Sequence, residues 1–206
     1  MKKLFLAIRH GDIAEVKALI SKNPELVNCV AKQPPKKDDG QSPLQVAFKT
    51  RNFDIAAYLI ECGADVNFID MGSINEWKAP VIHDAIQAVV GSAAWGRTTP
   101  GEATVDRAIV SLKSMVDKGA NMTAQDSYGN NCAMRAVLTI NNLSHIPDHA
   151  GGMNTFLVDL EPVLRLLINS SADFNEKTET RPPAIRGLHV GSPVADLLTR
   201  LVSEAS

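Results

Sequence analysis

Two short sequence blocks recur in fixed alternation along this chain, and they constrain its fold more than any other feature. The first block reads GADVN at residues 63–67, GANMT at 119–123 and SADFN at 171–175, with a degenerate PELVN at 24–28. Each copy follows apolar residues at i, i+3 and i+4 spacing, which predicts an amphipathic helix. A glycine directly after such a helix is typical of a left-handed helix end.

The second block predicts a helix start. It reads DGQSPLQVA at residues 39–47 and has echoes at 79–82 (APVI), 129–134 (GNNCAM) and 192–194 (SPV). Ser followed by Pro favours a helix N-terminus, because the hydroxyl caps free amides and the proline occupies a position that needs no donor. Helix starts and helix ends therefore alternate along the chain.

Together the two blocks resemble the ankyrin repeat, whose period is about 33 residues with a T-P-L-H-x-A helix start. Residues 42–47 (SPLQVA) are similar to that start, and residues 63–67 to the G-A-D-V-N ending of the family. The resemblance implies an all-α solenoid of about five units, each a hairpin-like finger followed by two antiparallel helices. We expect a single domain, residues 1–206, with approximate repeats at 1–30, 31–68, 69–123, 124–175 and 176–206.

The third and fourth repeats carry extra residues. Ser42 and Gly63 are 21 positions apart, whereas Ala79 and Gly119 are 40 apart, and so are Asn131 and Ser171. The surplus falls mainly in residues 91–104 and 141–155. Their composition of Gly, Ser, Thr, Asn and Pro predicts loops between the two helices. Apolar runs just before them predict that the first helix of each repeat is also lengthened.

We expect the two ends to be atypical, as in other repeat proteins. The first repeat lacks a finger and, on this interpretation, much of its first helix. The apolar stretch at residues 4–8 is too short for a signal peptide and predicts the first turns of a helix. The last segment, residues 192–201, predicts one helix.

The resemblance implies that a partner protein of unknown identity is bound by the finger tips and the exposed face of the first helices. The chain has two Trp and two Tyr, and these residue types often dominate binding energy. Trp77 and Tyr128 fall in fingers, where each either contacts a partner or closes over its own loop. Trp95 falls in the first insertion, where it is expected to anchor the loop. The expected contact residues are Lys36, Lys37, Met71, Ile74, Trp77, Lys78, Gln125, Ser127, Tyr128 and Asn130.

Charge and cysteine content narrow the class of partner and the compartment. The formal net charge is −2, which predicts binding to neither nucleic acid nor membrane. Residues 1–51 carry ten Lys and Arg against five Asp and Glu, a net charge of +5, whereas the remainder carries eleven against eighteen, a net charge of −7. Three widely spaced cysteines indicate a reducing compartment. We therefore expect a cytoplasmic monomer without a cofactor, although export by an uncleaved route stays open.

No set of residues in the sequence has the arrangement of a catalytic centre. His145, Asp148 and His149 lie close together in the second insertion, but Pro147 disfavours the helix that would bring both histidines to one metal. His83 and the neighbouring Asp84 predict a hydrogen-bonded structural pair. Asp84 is unusual because it lies where the family places a small buried alanine.

Two other functions stay open on the sequence. The chain could act as a bacterial effector or as an immunity protein against a toxin, using the same surface. A small metal-dependent enzyme with its site in residues 141–155 is the alternative from a different class. The sequence favours a non-enzymatic adaptor, inhibitor or sequestering module.

Overall fold

The computed structural model describes residues 1–32, 38–70, 78–95, 104–143 and 152–205. These ranges are all-helical, with no β-strand and a single antiparallel bridge between Ile69 and Pro80. Short 3-10 helices lie at Pro24–Asn28 and Ala184–Gly187. The α-helices of the described residues are α1 (Lys2–His10), α2 (Ile13–Lys22), α3 (Pro43–Lys49), α4 (Phe53–Glu61), α5 (Val81–Trp95), α6 (Thr104–Asp117), α7 (Cys132–Leu143), α8 (Gly152–Asn169) and α9 (Pro193–Ala205).

The helices stack in two parallel rows, as a helical solenoid requires. The first helices pack in sequence, α1 on α3, α3 on α5 and α5 on α7, and the second helices pack likewise from α2 to α8. Helix α5 lies at the centre, because α3, α6, α7 and α8 all pack against it. The predicted all-α solenoid is therefore confirmed.

The predicted helix starts and ends are present at atomic detail. The Ser42 hydroxyl accepts a hydrogen bond from the Gln45 amide, and the Gln45 side chain accepts one from the Ser42 amide, which together form a capping box before α3. Gly63 and Gly119 end their helices with φ of 86° and 85°. Ser171 holds the same place in the third copy with φ of 70° although it is not glycine, a conformation that strains the backbone.

An asparagine at the end of one repeat links it to the next. The side-chain nitrogen of Asn28 donates to the Gly63 carbonyl at 3.0 Å. The side-chain oxygen of Asn28 accepts from the backbone amide of Asp65 at 2.8 Å. Asn67 makes the same two bonds around Gly119, at 3.0 and 2.7 Å. Thr123 follows in register, and its shorter side chain bonds within its own repeat, to Asn121. The repeating block thus sets the spacing of the solenoid.

The first helices of the third and fourth repeats are lengthened, as predicted. Helices α5 and α7 have 15 and 12 residues, against seven for α3. The loops predicted at 91–104 and 141–155 are shorter than expected, because α5 and α7 continue into them and α8 begins at Gly152. Gly91 and Ser92 are buried in this extension, so tertiary packing overrides their weak helix preference.

The first end differs from expectation, whereas the helix predicted over residues 192–201 is present as α9. Helix α1 has nine residues and buries Leu4, Phe5 and Ile8, so the prediction that the first repeat lacks much of its first helix was wrong. At the other end, the 3-10 helix Ala184–Gly187 packs on α7, whereas α9 packs on α8. Helix α9 therefore takes the place of a second helix, although it begins with the Ser-Pro signal of a first one.

Among the described residues, no helix combines the length and the apolar character needed to cross a bilayer.

Cys29, Cys62 and Cys132 are all free thiols. Burial raises the pKa of the Cys132 thiol to about 12, because the thiolate would be desolvated inside the core. Cys132 therefore acts as a small buried apolar residue.

Candidate functional site

The finger between α6 and α7 is organised around one buried carboxylate. The Asp126 side chain accepts hydrogen bonds from the backbone amides of Tyr128 and Asn130, at 2.9 and 3.0 Å, and pairs with Arg135 at 2.6 Å. Burial by itself would raise the pKa of Asp126. The bonds from Asn130 and Tyr128 and the charge of Arg135 outweigh it and hold that pKa below its ordinary value. The turn at 126–130 is consequently fixed from within.

Asn130 belongs to this internal framework. Its side chain is 3% exposed, and its amide nitrogen donates to both carboxylate oxygens of Asp126, at 3.1 and 2.9 Å. The Asn130 side chain is therefore buried against Asp126 and does not reach the surface, where the predicted partner contact would need it. It positions the finger tip instead.

Ser127 joins this finger to the preceding one. The Lys78 amide donates to the Ser127 hydroxyl at 2.6 Å, and the Lys78 carbonyl accepts from both the amide and the hydroxyl of Ser127, at 3.0 and 3.1 Å. Both residues remain exposed. Two predicted contact residues from different fingers are thus brought side by side.

Tyr128 stands at the tip of the same turn with 59% of its surface exposed. Its carbonyl accepts from the Thr180 hydroxyl at 3.1 Å and from the Arg181 Nε at 3.2 Å, in the following finger. The Thr178 hydroxyl donates to the next carbonyl, that of Gly129, at 3.0 Å. The backbone of Tyr128 is therefore tied to its neighbours while its ring faces solvent.

Glycine is required at position 129. Gly129 has φ of 74°, and a Cβ atom there would collide with the Thr180 hydroxyl. The close approach of the last two fingers depends on this missing side chain.

The predicted contact residues divide into three groups. Lys78, Gln125, Ser127 and Tyr128 are exposed and lie on the adjoining fingers. Asn130 is buried. Lys36, Lys37, Met71, Ile74 and Trp77 lie outside the described residues, as do the side chain of Trp95 and the candidate ligands His145, Asp148 and His149.

Sequence reasoning missed Thr178, Thr180 and Arg181. The sequence distinguishes their finger only by its length, since Ser171 and Ser192 are 21 positions apart. Nothing in the local pattern indicates that this finger folds back to bond the carbonyls of Tyr128 and Gly129. That contact depends on how the two repeats stack.

His83 and Asp84 are both buried, but they do not bond each other as expected. His83 Nε2 donates to the Ala124 carbonyl at 3.0 Å. Burial, and then the charge of Arg135, lower the pKa of His83 to about 4, so the ring is neutral at pH 7. His83 therefore joins α5 to the base of the next finger, which accounts for it structurally.

Asp84 is held from α3. Its carboxylate accepts from the Gln45 side chain at 3.0 Å, and Lys49 Nζ lies 3.6 Å from its other oxygen. Burial raises the pKa of Asp84 to about 6 despite the nearby Lys49 charge. A carboxylate of this kind is unusual in a stack of apolar helices, and it lines a cavity of about 380 Å³ between α3, α5 and α7.

Among the described residues, no group of three or more His, Cys, Asp and Glu side chains could hold a metal ion.

The comparison with known families gives one match. Residues 2–70 fit a family model described as ankyrin repeats, in three copies. The match covers α1 to α4 and ends at Asp70.

Proposed function

Because residues 2–70 match a family model of ankyrin repeats, we propose that this chain is a non-enzymatic module that binds another protein through the tips of its adjoining fingers. Ankyrin repeats are generally modules for protein–protein interaction. We call the exposed residues Lys78, Gln125, Ser127 and Tyr128 the finger surface. The observation that carries the proposal is the Tyr128 ring, 59% exposed on a turn whose backbone is bonded on both sides.

The rigidity of the finger surface supports binding. Association loses free energy when loops and side chains must be ordered at the interface. Here the turn is fixed by Asp126 from inside, by Lys78 on one side and by Thr180 and Arg181 on the other. The partner therefore meets side chains that are already in place.

Tyrosine suits the centre of such an interface. Its ring has apolar faces and a hydroxyl that can bond a partner, and it loses little rotamer freedom on binding. The alternative, in which Tyr128 staples its own loop, would require the ring to pack against that loop. Its exposure favours the interface role.

The proposed surface is compatible with several cellular roles. An adaptor, an inhibitor, a sequestering partner, a bacterial effector and a toxin-immunity protein would all use the same surface. The near-neutral charge and the three free thiols accord with a monomer that binds protein in the cytoplasm.

Affinity capture with matched variants tests the proposal. Wild type and Tyr128→Ala are immobilised, exposed to lysate, and the protein retained by wild type is then purified for affinity measurement. Tyr128→Ala is expected to weaken that affinity by about 2 kcal/mol, roughly thirtyfold, with an unchanged melting temperature.

The control is Val158→Ala, which removes a side chain of similar exposure, 65%, from the opposite row of helices. It should bind like wild type. Equal affinity of Tyr128→Ala and wild type for the captured protein would contradict the proposal. A large fall in the melting temperature of Tyr128→Ala would show that the ring staples its loop instead.

A further inference from the structure

The cavity between α3, α5 and α7 has the size and shape of a binding site. Its volume of about 380 Å³ falls in the range of small-ligand pockets. Phe48, Ala88 and Leu143 give it apolar walls, and Gly91 also lines it. Apolar walls lower the local dielectric, which strengthens an interaction between charges at this place.

Two cations reach this cavity. Lys49 ends α3 with 27% of its side chain exposed, and Arg51 follows it in the turn before α4. Burial lowers the pKa of the Arg51 guanidinium, yet an arginine of this kind stays charged at neutral pH. Within the described part of the chain, the accessible charged groups of the cavity are therefore positive.

Among the described residues of the lining, the one carboxylate is recessed behind them. The Asp84 side chain is 3% exposed, and Gln45 and Lys49 already flank its two oxygens. A cation entering the cavity would pass Lys49 and Arg51 before it could reach Asp84. An anion would meet those two side chains first, so charge complementarity favours an anionic occupant.

We propose that this cavity receives an acidic side chain, Asp or Glu, of the partner protein, which pairs with Lys49 and Arg51. The inference rests on the proposed protein-binding function and adds a second contact, on the first-helix face of the solenoid. Paired carboxylate and guanidinium or ammonium groups form the stronger class of hydrogen bonds. Asp84 is a positioning residue, because it competes with the incoming carboxylate for Lys49.

This competition links binding to pH. The charged groups that act on Asp84 are Lys49 from α3, Asp70 from the segment before α5 and Arg135 from α7. Asp84 is ionised at pH 7.5 and holds Lys49, whereas below its pKa of about 6 it is neutral and releases Lys49. Exposed glutamates, with a pKa of about 4.3, are still mostly ionised at pH 5.5. Binding of an acidic group should therefore tighten as the pH falls.

A titration of the full chain with short peptides tests this inference. The probes are N-acetylated, C-amidated hexaglutamate and hexalysine, and the readout is the shift of backbone amide resonances at fixed salt. Hexaglutamate should shift Ala88, Gly91 and Leu143 in a saturable way, and bind roughly threefold or more tightly at about pH 5.5 than at about pH 7.5.

Variants distinguish hexaglutamate binding in the cavity from general attraction of the peptide to basic surfaces. Lys49→Gln should weaken hexaglutamate binding about tenfold, whereas Lys118→Gln, an exposed lysine at the end of the second-row helix α6, should leave it unchanged. Asp84→Asn should tighten binding at pH 7.5 and remove the part of the pH dependence that comes from this site. The amide spectrum of each variant shows directly that it is folded.

The opposite pattern would overturn the inference. Hexalysine binding at these residues that tightens with rising pH and is lost in Asp84→Asn would identify a site for basic groups. Hexaglutamate shifts that lie elsewhere, or that Lys49→Gln does not affect, would show only surface attraction. Tyr128→Ala should not change the peptide titration. The experiment therefore distinguishes a failure of the cavity inference from a failure of the proposed binding by the finger surface.

Discussion

The second and third repeats share one linking device and differ in nearly everything between. Each is bonded in the same way by the asparagine that closes the repeat before it, Asn28 for the second repeat and Asn67 for the third. Yet α3 has seven residues and α5 has 15, and α5 packs against helices on four sides. A solenoid can therefore enlarge a helix without losing its stacking, provided that the linking block stays unchanged.

The same comparison locates the unusual carboxylate. Counting from the proline that opens each helix, Asp84 of α5 corresponds to Ala47 of α3, and both positions are buried. The aspartate is accommodated because Gln45 and Lys49 of α3 reach it. One repeat thus tolerates a charge at this position only through its neighbour.

The largest effect is expected when the charge is placed in the wrong repeat. Ala47→Asp would bury a carboxylate where alanine is fully enclosed. We expect a loss of about 3–5 kcal/mol in the free energy of unfolding at pH 7.5, measured by urea denaturation. Ala47→Asn, whose side chain has the shape of aspartate without its charge, should lower the free energy of unfolding by less. Equal losses for the two variants would show that volume, rather than charge, separates the repeats.

The reverse change should stabilise the third repeat. The folded-state pKa of Asp84, about 6, lies above its ordinary value of 3.8, so the folded chain is penalised once Asp84 ionises. Asp84→Asn should therefore raise the free energy of unfolding by about 1–3 kcal/mol at pH 7.5.

The gain from Asp84→Asn should shrink between about pH 6 and pH 4 and vanish below, where the wild-type carboxyl is neutral in both states. His83 titrates over an overlapping pH range, and its effect on the free energy of unfolding has the opposite sign. Because wild type and Asp84→Asn both contain His83, the difference between their free energies of unfolding reports on Asp84 alone. A gain that does not depend on pH would contradict this explanation.

A smaller effect is expected at the link that both repeats share. Asn67→Ala removes two bonds to the next repeat, and we expect it to cost about 1–2 kcal/mol in urea denaturation. The control is Asn175→Ala, because in the described part of the chain the Asn175 side chain makes no bond to a later repeat. It should stay within about 0.5 kcal/mol of wild type. Equal costs would mean that the asparagine acts only within its own turn.

The fold was largely predictable because its signals are local. The Ser-Pro start before α3 and the glycines at 63 and 119 each act within a few residues of themselves. The continuation of α5 through Gly91 was not predictable, because burial against other helices outweighs glycine's weak preference. The packing of α9 on α8 depends on the 3-10 helix Ala184–Gly187, which carries no strong local pattern.

The candidate sites were predicted less completely. Tyr128 is exposed, as a contact from a finger requires, whereas Asn130 is buried because Asp126 draws its side chain inward, which the sequence does not show. Asp84 stood out as the wrong residue type for its position. The cavity beside it could not be foreseen, since α3, α5 and α7 form it together.

The most direct test of the central claim is amide hydrogen exchange of the chain with and without its captured partner. The account predicts that binding slows exchange at residues 125–131, which surround Tyr128, and at Lys78, while the second-row helices α6 and α8 exchange as in the free protein. Slowing confined to α6 and α8, with the fingers unchanged, would contradict it.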